Sequence, residues 1–482
     1  MTMEIIQQNI IKMQELDAKL IEELMKGNNF SDITKRYSED IMKINCERIG
    51  LYLEKIDEVI YNSEKRKEGY YADGSKERSI TIPLGEIKFK RTRYVNKKTG
   101  ASIFLLDKYI GIDEKERMTD AVKARIVNEA IDTTYKKGGE VAAYNETYTK
   151  QTTKNIIEKI NPDLIVAKNN ASKKKVDYLY IDADEAHIKI QKDKNKKQVI
   201  AKEIYVYEGK EPEAPKSKRT KLKNKWTFAG VHEKSKENTA FWDEIRDYID
   251  THYEVSKINK IYLNADGGKW IKEGIDIFNN VVFVIDKYHL VNNINKMTKH
   301  LKDSQADAKQ EIYEALKNGD IDKINTFMVK LYNTVRDDKK IKIINNCEKF
   351  LRNNLEAIKQ RLNHKDEPIL GCSAEAHISH DLASRMTTIC RGWSISNADR
   401  MARLRAYKIN GGNIYDLVKE NHEAIRKKNK DLIKNKIIKL NKKEKERIYL
   451  KEKETIDITS KYYNWIQATI DNEVRKKYHL NY

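Results

Sequence analysis

The stretch Lys260-Ile-Tyr-Leu-Asn-Ala-Asp-Gly-Gly268 closes an apolar run with an aspartate and two glycines. Two further runs end in a similar way: Tyr178-Leu-Tyr-Ile-Asp-Ala-Asp184 in a pair of aspartates, and Val281-Val-Phe-Val-Ile-Asp286 in one. Short apolar runs bounded by turn residues are typical of buried strands. Two flanking strands that each end in a carboxylate can bring those carboxylates together at one edge of a sheet. We therefore expect a sheet with an acidic edge.

Around these runs, the pattern predicts three consecutive strands, a helix, and then two more strands. This is the order of a ribonuclease-H-like sheet, a mixed sheet with helices packed on it. A polar helical stretch over residues 294–365 is expected to interrupt this core before it resumes at residues 366–410. The predicted strands cover residues 176–181, 203–207, 226–231, 260–265 and 281–285, and the helix covers residues 240–253.

A further acid, Glu375, falls on the apolar stripe of a helix that is predicted to begin at Ser373. At about 100° per residue, Ile378, Leu382 and Met386 share one stripe with Glu375. A carboxylate on a stripe that faces the sheet is costly to bury unless it meets a cation. We therefore expect Glu375 to face the strand ends and to complete a metal site there.

The expected metal ligands and catalytic residues are Asp182, Asp266 and Glu375, with Asp184 and Asp286 as additional candidate ligands. Hard carboxylate oxygens suit Mg²⁺ or Mn²⁺. Two such ions about 4 Å apart can activate a water or a 3′-hydroxyl and stabilise the leaving 3′-oxygen during displacement at phosphorus. The alternative for each acid alone is a structural one, because aspartates at strand ends are common turn residues and helix caps.

The part of the chain before the core predicts helices and one hairpin. Apolar residues recur at helical spacing in residues 1–65, and residues 78–95 alternate around Leu84-Gly85 as in a β-hairpin. Helices are expected at residues 121–134, 140–144 and 149–160, with Gly138-Gly139 as a break, which is a helix-turn-helix outline. Helical hairpins of this kind also occur without any DNA contact.

The charge balance predicts a polyanionic partner. Lys and Arg number 94 against 74 Asp and Glu, so the net charge is +20 and the pI is near 9.3. Double-stranded DNA fits this balance, although a Lys-rich composition alone also raises a pI. Contacts to phosphates position DNA without reading its sequence. We expect DNA contacts from Lys88, Lys90, Arg91, Arg93, Lys150, Lys216, Lys218, Arg219, Lys221, Lys223, Lys225 and Arg385.

Cysteine spacing and hydropathy indicate the cellular compartment of the protein. The four cysteines, Cys46, Cys347, Cys372 and Cys390, lie far apart without a CxxC pair. This predicts neither a disulfide framework nor a zinc site. No apolar run approaches the roughly 18 residues that span a membrane, and the first residues lack a signal-peptide core. We expect a prokaryotic cytoplasmic protein, associated with the nucleoid and without a membrane partner.

Several ordered segments together resemble a known family. The chain is similar to the ISLre-type insertion-sequence transposases, a group long catalogued as an uncharacterised protein family and related to the Mutator-like DDE transposases. The similarity covers nearly the whole chain. Its segments are Tyr180-Ile-Asp-Ala-Asp-Glu-Ala-His187, Asn264-Ala-Asp-Gly-Gly-Lys-Trp-Ile271, Asp286-Lys-Tyr-His-Leu290, Gly371-Cys-Ser-Ala-Glu-Ala-His-Ile-Ser-His-Asp-Leu-Ala-Ser-Arg-Met386, and Gly392-Trp-Ser394 with Met401-Ala-Arg-Leu-Arg-Ala406.

The resemblance implies a ribonuclease-H-like catalytic domain, interrupted by a helical insertion, with a triad at Asp182, Asp266 and Glu375. In the Mutator-like enzymes, a Cys-x-x-His pair follows the second aspartate. His289 matches that histidine here, while Asp286 takes the place of the cysteine. The resemblance thus leaves three roles open for Asp286: a backup carboxylate, a structural partner of His289, or neither. His289 is expected to support the site by hydrogen bonding or to contact DNA.

We therefore expect a multidomain α+β or α/β chain with a ribonuclease-H-like core, an all-α insertion, and N-terminal helical and β-hairpin DNA-binding regions. The expected function is a DNA transposase that binds terminal inverted repeats, cleaves DNA with two Mg²⁺ or Mn²⁺ ions, and transfers the strand to target DNA as a homo-oligomer. The alternatives are a ribonuclease-H-fold nuclease without strand transfer and a non-catalytic DNA-binding remnant. The expected regions are 1–65, 66–118, 119–170, 171–293, 294–365, 366–410 and a basic helical tail, 411–482.

Overall fold

The structure is a computed structural model, and it describes residues 2–166, 172–191, 197–364, 368–389 and 392–438. Within these ranges, side chains are described from residue 7 to residue 431. Most of the predicted basic tail, from residue 439 on, and Cys390 lie outside the described residues. The chain divides into two compact units. The first comprises Met1–Ala130, Thr134–Ile160 and Ile414–Tyr482, and the second comprises Ile131–Thr133 and Asn161–Asn413.

The first unit begins with two long helices, as the apolar spacing predicts. The side chain of Asn29 accepts the amide hydrogens of Ser31 and Asp32 and thereby caps the second helix. The elements of this unit are α1 (Thr2–Met25), α2 (Phe30–Asn62), α3 (Glu64–Gly69), β1 (Tyr70–Ile82), β2 (Gly85–Asn96), β3 (Ser102–Ile103), α4 (Leu105–Tyr109), α5 (Asp120–Asp132), α6 (Tyr135–Glu140) and α7 (Lys150–Glu158).

The predicted β-hairpin is confirmed. Strands β1 and β2 pair antiparallel with Ile82 opposite Gly85, so the chain turns at Pro83-Leu84. The apolar face of the hairpin buries Phe89 against a core that includes Ile60 of α2. Helix α2 approaches β2 closely at Gly50, where a Cβ atom would overlap the backbone carbonyl oxygen of Lys88.

The glycine pair in the first unit does not break a helix. Gly138 and Gly139 lie inside α6, so the predicted break there and the predicted helix at residues 140–144 are wrong. The physical reason is close packing. A Cβ atom at Gly138 would stand 2.7 Å from the carbonyl oxygen of Ile126, and one at Gly139 would overlap the carbonyl oxygen of Tyr148. Glycine is needed here for contact between chain segments.

The second unit is built on a mixed five-stranded sheet with the order β10-β9-β4-β5-β8. Strands β9 and β10 run parallel to β4, whereas β5 and β8 run antiparallel to their neighbours. All five predicted strands are present: β4 (Tyr178–Lys189), β5 (Gln198–Tyr207), β8 (Trp226–Val231), β9 (Lys260–Ala265) and β10 (Val281–Ile285). A separate two-stranded hairpin, β6 (Lys210–Pro212) with β7 (Thr220–Leu222), lies between β5 and β8 in the chain. We call residues 208–225 the basic arm.

The two faces of the sheet differ in chemistry. One face packs Ile181 and Leu263 against Trp242 of helix α8 (Ser235–His252). The other face carries a cluster of buried tyrosines, including Tyr180 and Tyr262. Side chains alternate along a strand, so every second residue of β4 and β9 points to the tyrosine face. A short helix, α9 (Lys269–Lys272), follows β9.

The predicted helical stretch is confirmed, and it has an apolar core of its own. Its helices are α10 (Lys287–Thr298), α11 (Gln305–Asn318), α12 (Ile321–Asn333), α13 (Asp338–Asn353) and α14 (Leu355–Leu362). After it come α15 (Ala374–Ile378), which continues as a π-helix over Ser379–Ile389, and α16 (Ile395–Ile409). The last described helix, α17 (Ile414–Ile438), belongs to the first unit. None of the described helices has the length and hydropathy of a membrane span.

Candidate active site

Three aspartates lie in one row at the edge of the five-stranded sheet. Ala183 of β4 and Ile285 of β10 both pair with Ala265 of β9. The next residue along each of these parallel strands is an aspartate, so Asp184, Asp266 and Asp286 follow at the same level. We call these three residues the acidic row. The structure therefore brings together the ends of the three apolar runs with which the sequence analysis began.

Asp184 is a buried member of the acidic row, and its pKa is strongly raised. Its side chain accepts the amide hydrogen of Glu185 at 2.8 Å. Burial raises the pKa of Asp184 from 3.8 to about 7, and the nearby charges of Asp266 and Glu375 add to the increase. Helix α15, which carries Glu375, packs on β4. Asp184, Asp266 and Glu375 are thus close enough for their charges to interact.

Glu375 stands in the first turn of α15, and its side chain is exposed. The expectation that Glu375 is buried with its stripe is wrong, while Ile378, Leu382 and Met386 are buried as predicted. From Ser379 on, the helix is wound as a π-helix, so a wheel of constant 100° steps does not describe the whole segment. Glu375 lies at the open end of the site and is accessible from solvent.

Asp182 is completely buried and is saturated with hydrogen bonds. It accepts the hydroxyl groups of Tyr205 at 2.9 Å and Tyr207 at 3.1 Å. The side-chain amide of Asn264 donates at 2.8 Å, and the backbone N–H of Ser373 donates at 3.0 Å. Its carboxylate ties β4 to β5, to β9 and to the segment that enters α15.

Asp286 has a local structural contact in addition to its place in the row. Its side chain caps α10 by accepting the amide hydrogen of Tyr288 at 3.2 Å. Burial raises its pKa, and its carboxylate lies 3.9 Å from Nε2 of His289. Of the three roles that the resemblance left open, these contacts favour a structural partnership with His289.

A link from the helical insertion to this site was not predicted from the sequence. Arg361 of α14 is buried, and it donates to the carbonyl oxygen of Ile285 at 2.9 Å and to the side-chain oxygen of Asn264 at 3.0 Å. Asn264 in turn donates to Asp182. An asparagine inside the apolar run of β9 was the available signal, because a buried amide needs partners.

A second group of charged residues, which was not predicted from the sequence, lies beside the tyrosine face. Glu203 of β5 pairs with Asp184 in the register and is buried. Burial and the adjacent carboxylate of Asp381 raise the pKa of Glu203 well above its ordinary value. Asp381 lies in the π-helix and forms an ion pair with Lys225 at 3.1 Å. A glutamate within the β5 strand was the available signal for this group.

The hairpin residues predicted to contact DNA are not equally available. Lys88 and Lys90 are exposed on β2. Arg91 forms an ion pair with Asp107 and lies over the ring of Phe104. Arg93 is half-buried and forms an ion pair with Asp73 at 2.7 Å. The exposed lysines are therefore the better candidates for phosphate contacts on this hairpin.

The other predicted DNA contacts also separate into exposed and enclosed residues. Lys150 is exposed at the start of α7, and the basic arm exposes Lys216, Lys218, Arg219, Lys221 and Lys223. Lys225 is only 18% exposed and is held by Asp381. Arg385 is fully buried against the ring of Trp393, so in this structure its guanidinium cannot reach DNA.

The carboxylate oxygens of the predicted acids do not converge on a single point. Within the described ranges, Asp113, Glu116 and His422 each place one potential ligand atom within 4.8 Å of the other two. No three of the predicted acids in these ranges come so close together. In that other group, Lys123 and Arg426 already form ion pairs with the carboxylates, which makes it a neutralised surface network. Like charges hold carboxylates apart without a cation. The oxygen donors of Asp184, Asp266 and Glu375 fit Mg²⁺ or Mn²⁺ in kind.

Comparison with known proteins gives the family of the chain. The family described as "Uncharacterised protein family (UPF0236)" matches residues 23–423, so the chain belongs to this family. A UPF0236 protein of Caldanaerobacter subterraneus subsp. tengcongensis is 32% identical over 415 residues, which cover 86% of this chain and 85% of the relative. A UPF0236 protein of Streptococcus gallolyticus is 24% identical over 401 residues, covering 80% of this chain and 85% of the relative. These descriptions state no activity.

Proposed function

We propose that this protein is a metal-dependent DNA transposase that cleaves DNA at the ends of a mobile element and joins them to target DNA. The observation that carries the proposal is the grouping of Asp184, Asp266 and Glu375, in which the two other acids contribute to the raised pKa of Asp184. A buried carboxylate beside two like charges is unfavourable unless a cation is present. Such a grouping is expected of a site that binds metal ions.

The order of the sheet supports a ribonuclease-H-like core for this transposase. The first strand, β4, lies centrally, the next two strands follow antiparallel on one side, and β9 and β10 lie parallel to it on the other. The strands arise in the chain in the order that the sequence pattern predicts for this fold. The insertion α10–α14 precedes the glutamate helix, as the resemblance to ISLre-type transposases implies.

Within this proposal, Asp184, Asp266 and Glu375 hold the metal ions, and Asp182 organises the site. Asp182 already accepts five hydrogen bonds and is 0% exposed, so metal binding there would break existing bonds. When bound, Mg²⁺ or Mn²⁺ supplies activation of the attacking oxygen and stabilisation of the leaving oxygen. The protein side chains fix the spacing of the acids and keep water out of the buried face.

DNA binding in this proposal comes from the exposed basic residues. Lys88 and Lys90 on β2, Lys150 on α7 and the lysines of the basic arm are accessible to phosphates. Each phosphate contact adds roughly 0.9 to the slope of log affinity against log salt concentration. A homo-oligomer is expected because two element ends must be joined in one reaction.

The test uses a supercoiled plasmid that carries both ends of the DNA element encoding the chain, incubated with Mg²⁺ or Mn²⁺. Asp184→Asn, Asp266→Asn and Glu375→Gln should each lower cleavage by about 10³-fold or more. Asp250→Asn, at an exposed acid of α8, serves as the matched control and should cleave like the wild type. Undiminished cleavage in any of the three variants would remove that residue from the site, and cleavage in EDTA would exclude metal catalysis.

A second assay separates the transposase from the two alternatives. Pre-cut element ends with free 3′-hydroxyls should be joined to target DNA by the wild-type protein. Cleavage without joining would instead indicate a ribonuclease-H-fold nuclease. DNA binding without cleavage or joining would indicate a non-catalytic remnant.

A further inference from the structure

Lys225 stands where the basic arm returns to the sheet, directly before β8. Its exposure differs from that of the other basic residues of the arm, because its side chain is 18% exposed while Lys223, like the others, is exposed. The ammonium group lies 3.1 Å from Oδ2 of Asp381 and 3.1 Å from Nδ1 of His377. Both partners belong to the helical segment 374–389 that carries Glu375.

The chemistry of these contacts fixes their direction. A lysine ammonium has three donors and no acceptor, so in the contact between Lys225 and His377 the ring nitrogen Nδ1 is the acceptor. Asp381 accepts the second hydrogen bond as a carboxylate. His377 is two residues after Glu375 and Asp381 is six residues after it. One cation therefore holds two successive turns of the helix just beyond the glutamate.

The same lysine also rests on the buried face of the sheet. Its ammonium lies 5.4 Å from the centre of the Tyr205 ring, and the ring of His377 packs edge-on against Tyr205 at 4.7 Å. Tyr205 donates its hydroxyl hydrogen to Asp182. The buried carboxyl group of Glu203 lies beside Asp381 on the side of the sheet. The helix is thus attached to β5 through Lys225 and its partners.

We propose that Lys225 is a positioning residue that holds the Glu375 helix against the sheet and links the basic arm to the catalytic glutamate. This inference rests on the proposed function. It replaces the sequence-based expectation that Lys225 contacts DNA phosphate. An ammonium enclosed by Asp381, His377 and Tyr205 has its donors directed inward, whereas Lys223, two residues earlier, remains available to DNA.

The test compares Lys225→Met with Lys223→Met, which removes the same charge from an exposed site of the same arm. Lys225→Met should lower the cleavage rate at saturating DNA by about 10²-fold, the loss expected from a small displacement of a catalytic group. Its DNA affinity, measured by fluorescence anisotropy without metal, should stay within about twofold. Lys223→Met should weaken DNA binding and lower the salt slope by roughly 0.9.

Two further measurements separate positioning from a general loss of structure. Lys225→Arg keeps a charged donor and should recover at least tenfold of the lost rate. Hydrogen exchange followed by mass spectrometry should show faster exchange of residues 374–389 in Lys225→Met than in Lys223→Met, with residues 178–189 unchanged. This last readout needs no activity. If the wild type cleaves no DNA, the proposed function fails while the exchange result still decides the role of Lys225.

The proposal would be overturned by the pattern of a phosphate contact. In that case, Lys225→Met would lower DNA affinity and the salt slope as Lys223→Met does, with an unchanged rate at saturation and unchanged exchange of residues 374–389. The proposal would also be contradicted if Lys225→Met and Lys225→Arg lost the same rate while residues 374–389 exchanged as slowly in both variants as in the wild type.

Discussion

Asp182 and Asp184 stand two residues apart on the same face of β4, yet their surroundings give them opposite tasks. Asp182 is surrounded by five hydrogen-bond donors, which suit a carboxylate acceptor. Asp184 accepts one backbone hydrogen bond and faces other acids, which destabilise its charge. The first arrangement suits a carboxylate that organises a fold, and the second suits one that awaits a cation.

Neutralising these two residues should therefore change stability in opposite directions when metal is removed with EDTA. The pKa of Asp184 is raised to about 7 from 3.8, so at pH 8 the folded protein carries an unfavourable charge. Asp184→Asn should raise the free energy of unfolding by up to about 4 kcal/mol at pH 8. Asp182→Asn should lower it by at least about 2 kcal/mol, because buried donors lose their acceptor.

The pH dependence of the free energy of unfolding tests whether the charge of Asp184 is destabilising. Because the folded-state pKa of Asp184 lies above the unfolded value, the wild type loses stability as pH rises from about 4 to about 7. The advantage of Asp184→Asn should shrink as pH falls through about 7 and vanish near pH 4. Urea denaturation at several pH values measures it, with Asp250→Asn as the exposed control. An advantage that does not vary with pH would contradict the assignment.

At the scale of elements, several packing contacts depend on the absence of a side chain. Helix α6 approaches α5 so closely that a Cβ atom at Gly138 would lie 2.7 Å from the carbonyl oxygen of Ile126 and 2.9 Å from Cβ of Ala130. By contrast, a Cβ atom at Gly69 in α3 would have no neighbour within 4 Å. Both glycines belong to the first unit.

Gly138→Ala should therefore destabilise the first unit by about 1–3 kcal/mol, which is the usual cost of overpacking. Gly69→Ala should be neutral or stabilise slightly, because it restricts the unfolded chain without a clash. The comparison is made by urea denaturation followed by circular dichroism. Equal effects of the two substitutions would show that α6 does not need the close approach.

The elements themselves were largely predictable, whereas their winding and the roles of single residues were not. Strand ends at Asp266 and Asp286 follow from local apolar runs, and the structure places both in the acidic row. The choice between Asp182 and Asp184 depends on donors from β5, β9 and residue 373, which are distant in sequence. The π-helix and the burial of Arg385 also depend on tertiary contacts, and a helical wheel contains none of these.

At the scale of the whole molecule, the chain belongs to the second unit briefly at Ile131–Thr133 and then from Asn161 to Asn413, before it returns to the first unit at Ile414. Helix α17 completes the first unit with buried Leu417 and Val418. His422 lies 2.8 Å from carboxylate oxygens of both Asp113 and Asp120. The first unit is therefore made of three pieces of chain, and the last piece is separated from the other two by the entire sheet and its insertion.

Truncation after residue 413 tests this arrangement. The first unit should lose stability, because it loses the buried side chains of α17 and the ion pairs of His422 and Arg426 with Asp113. Hydrogen exchange of residues 105–160 should accelerate by at least about tenfold, while exchange of residues 178–207 should stay unchanged. Equal acceleration in both regions would mean that the two units do not fold independently.

The same arrangement has a consequence during translation. Residues 161–413 must be synthesised after residues 1–160 and before α17, which takes roughly 10–50 s at elongation rates of about 5–20 residues per second. During that interval, the surface of the first unit that packs against α17 is uncovered. If translation ends early within this stretch, the truncated polypeptide carries a first unit that is still incomplete.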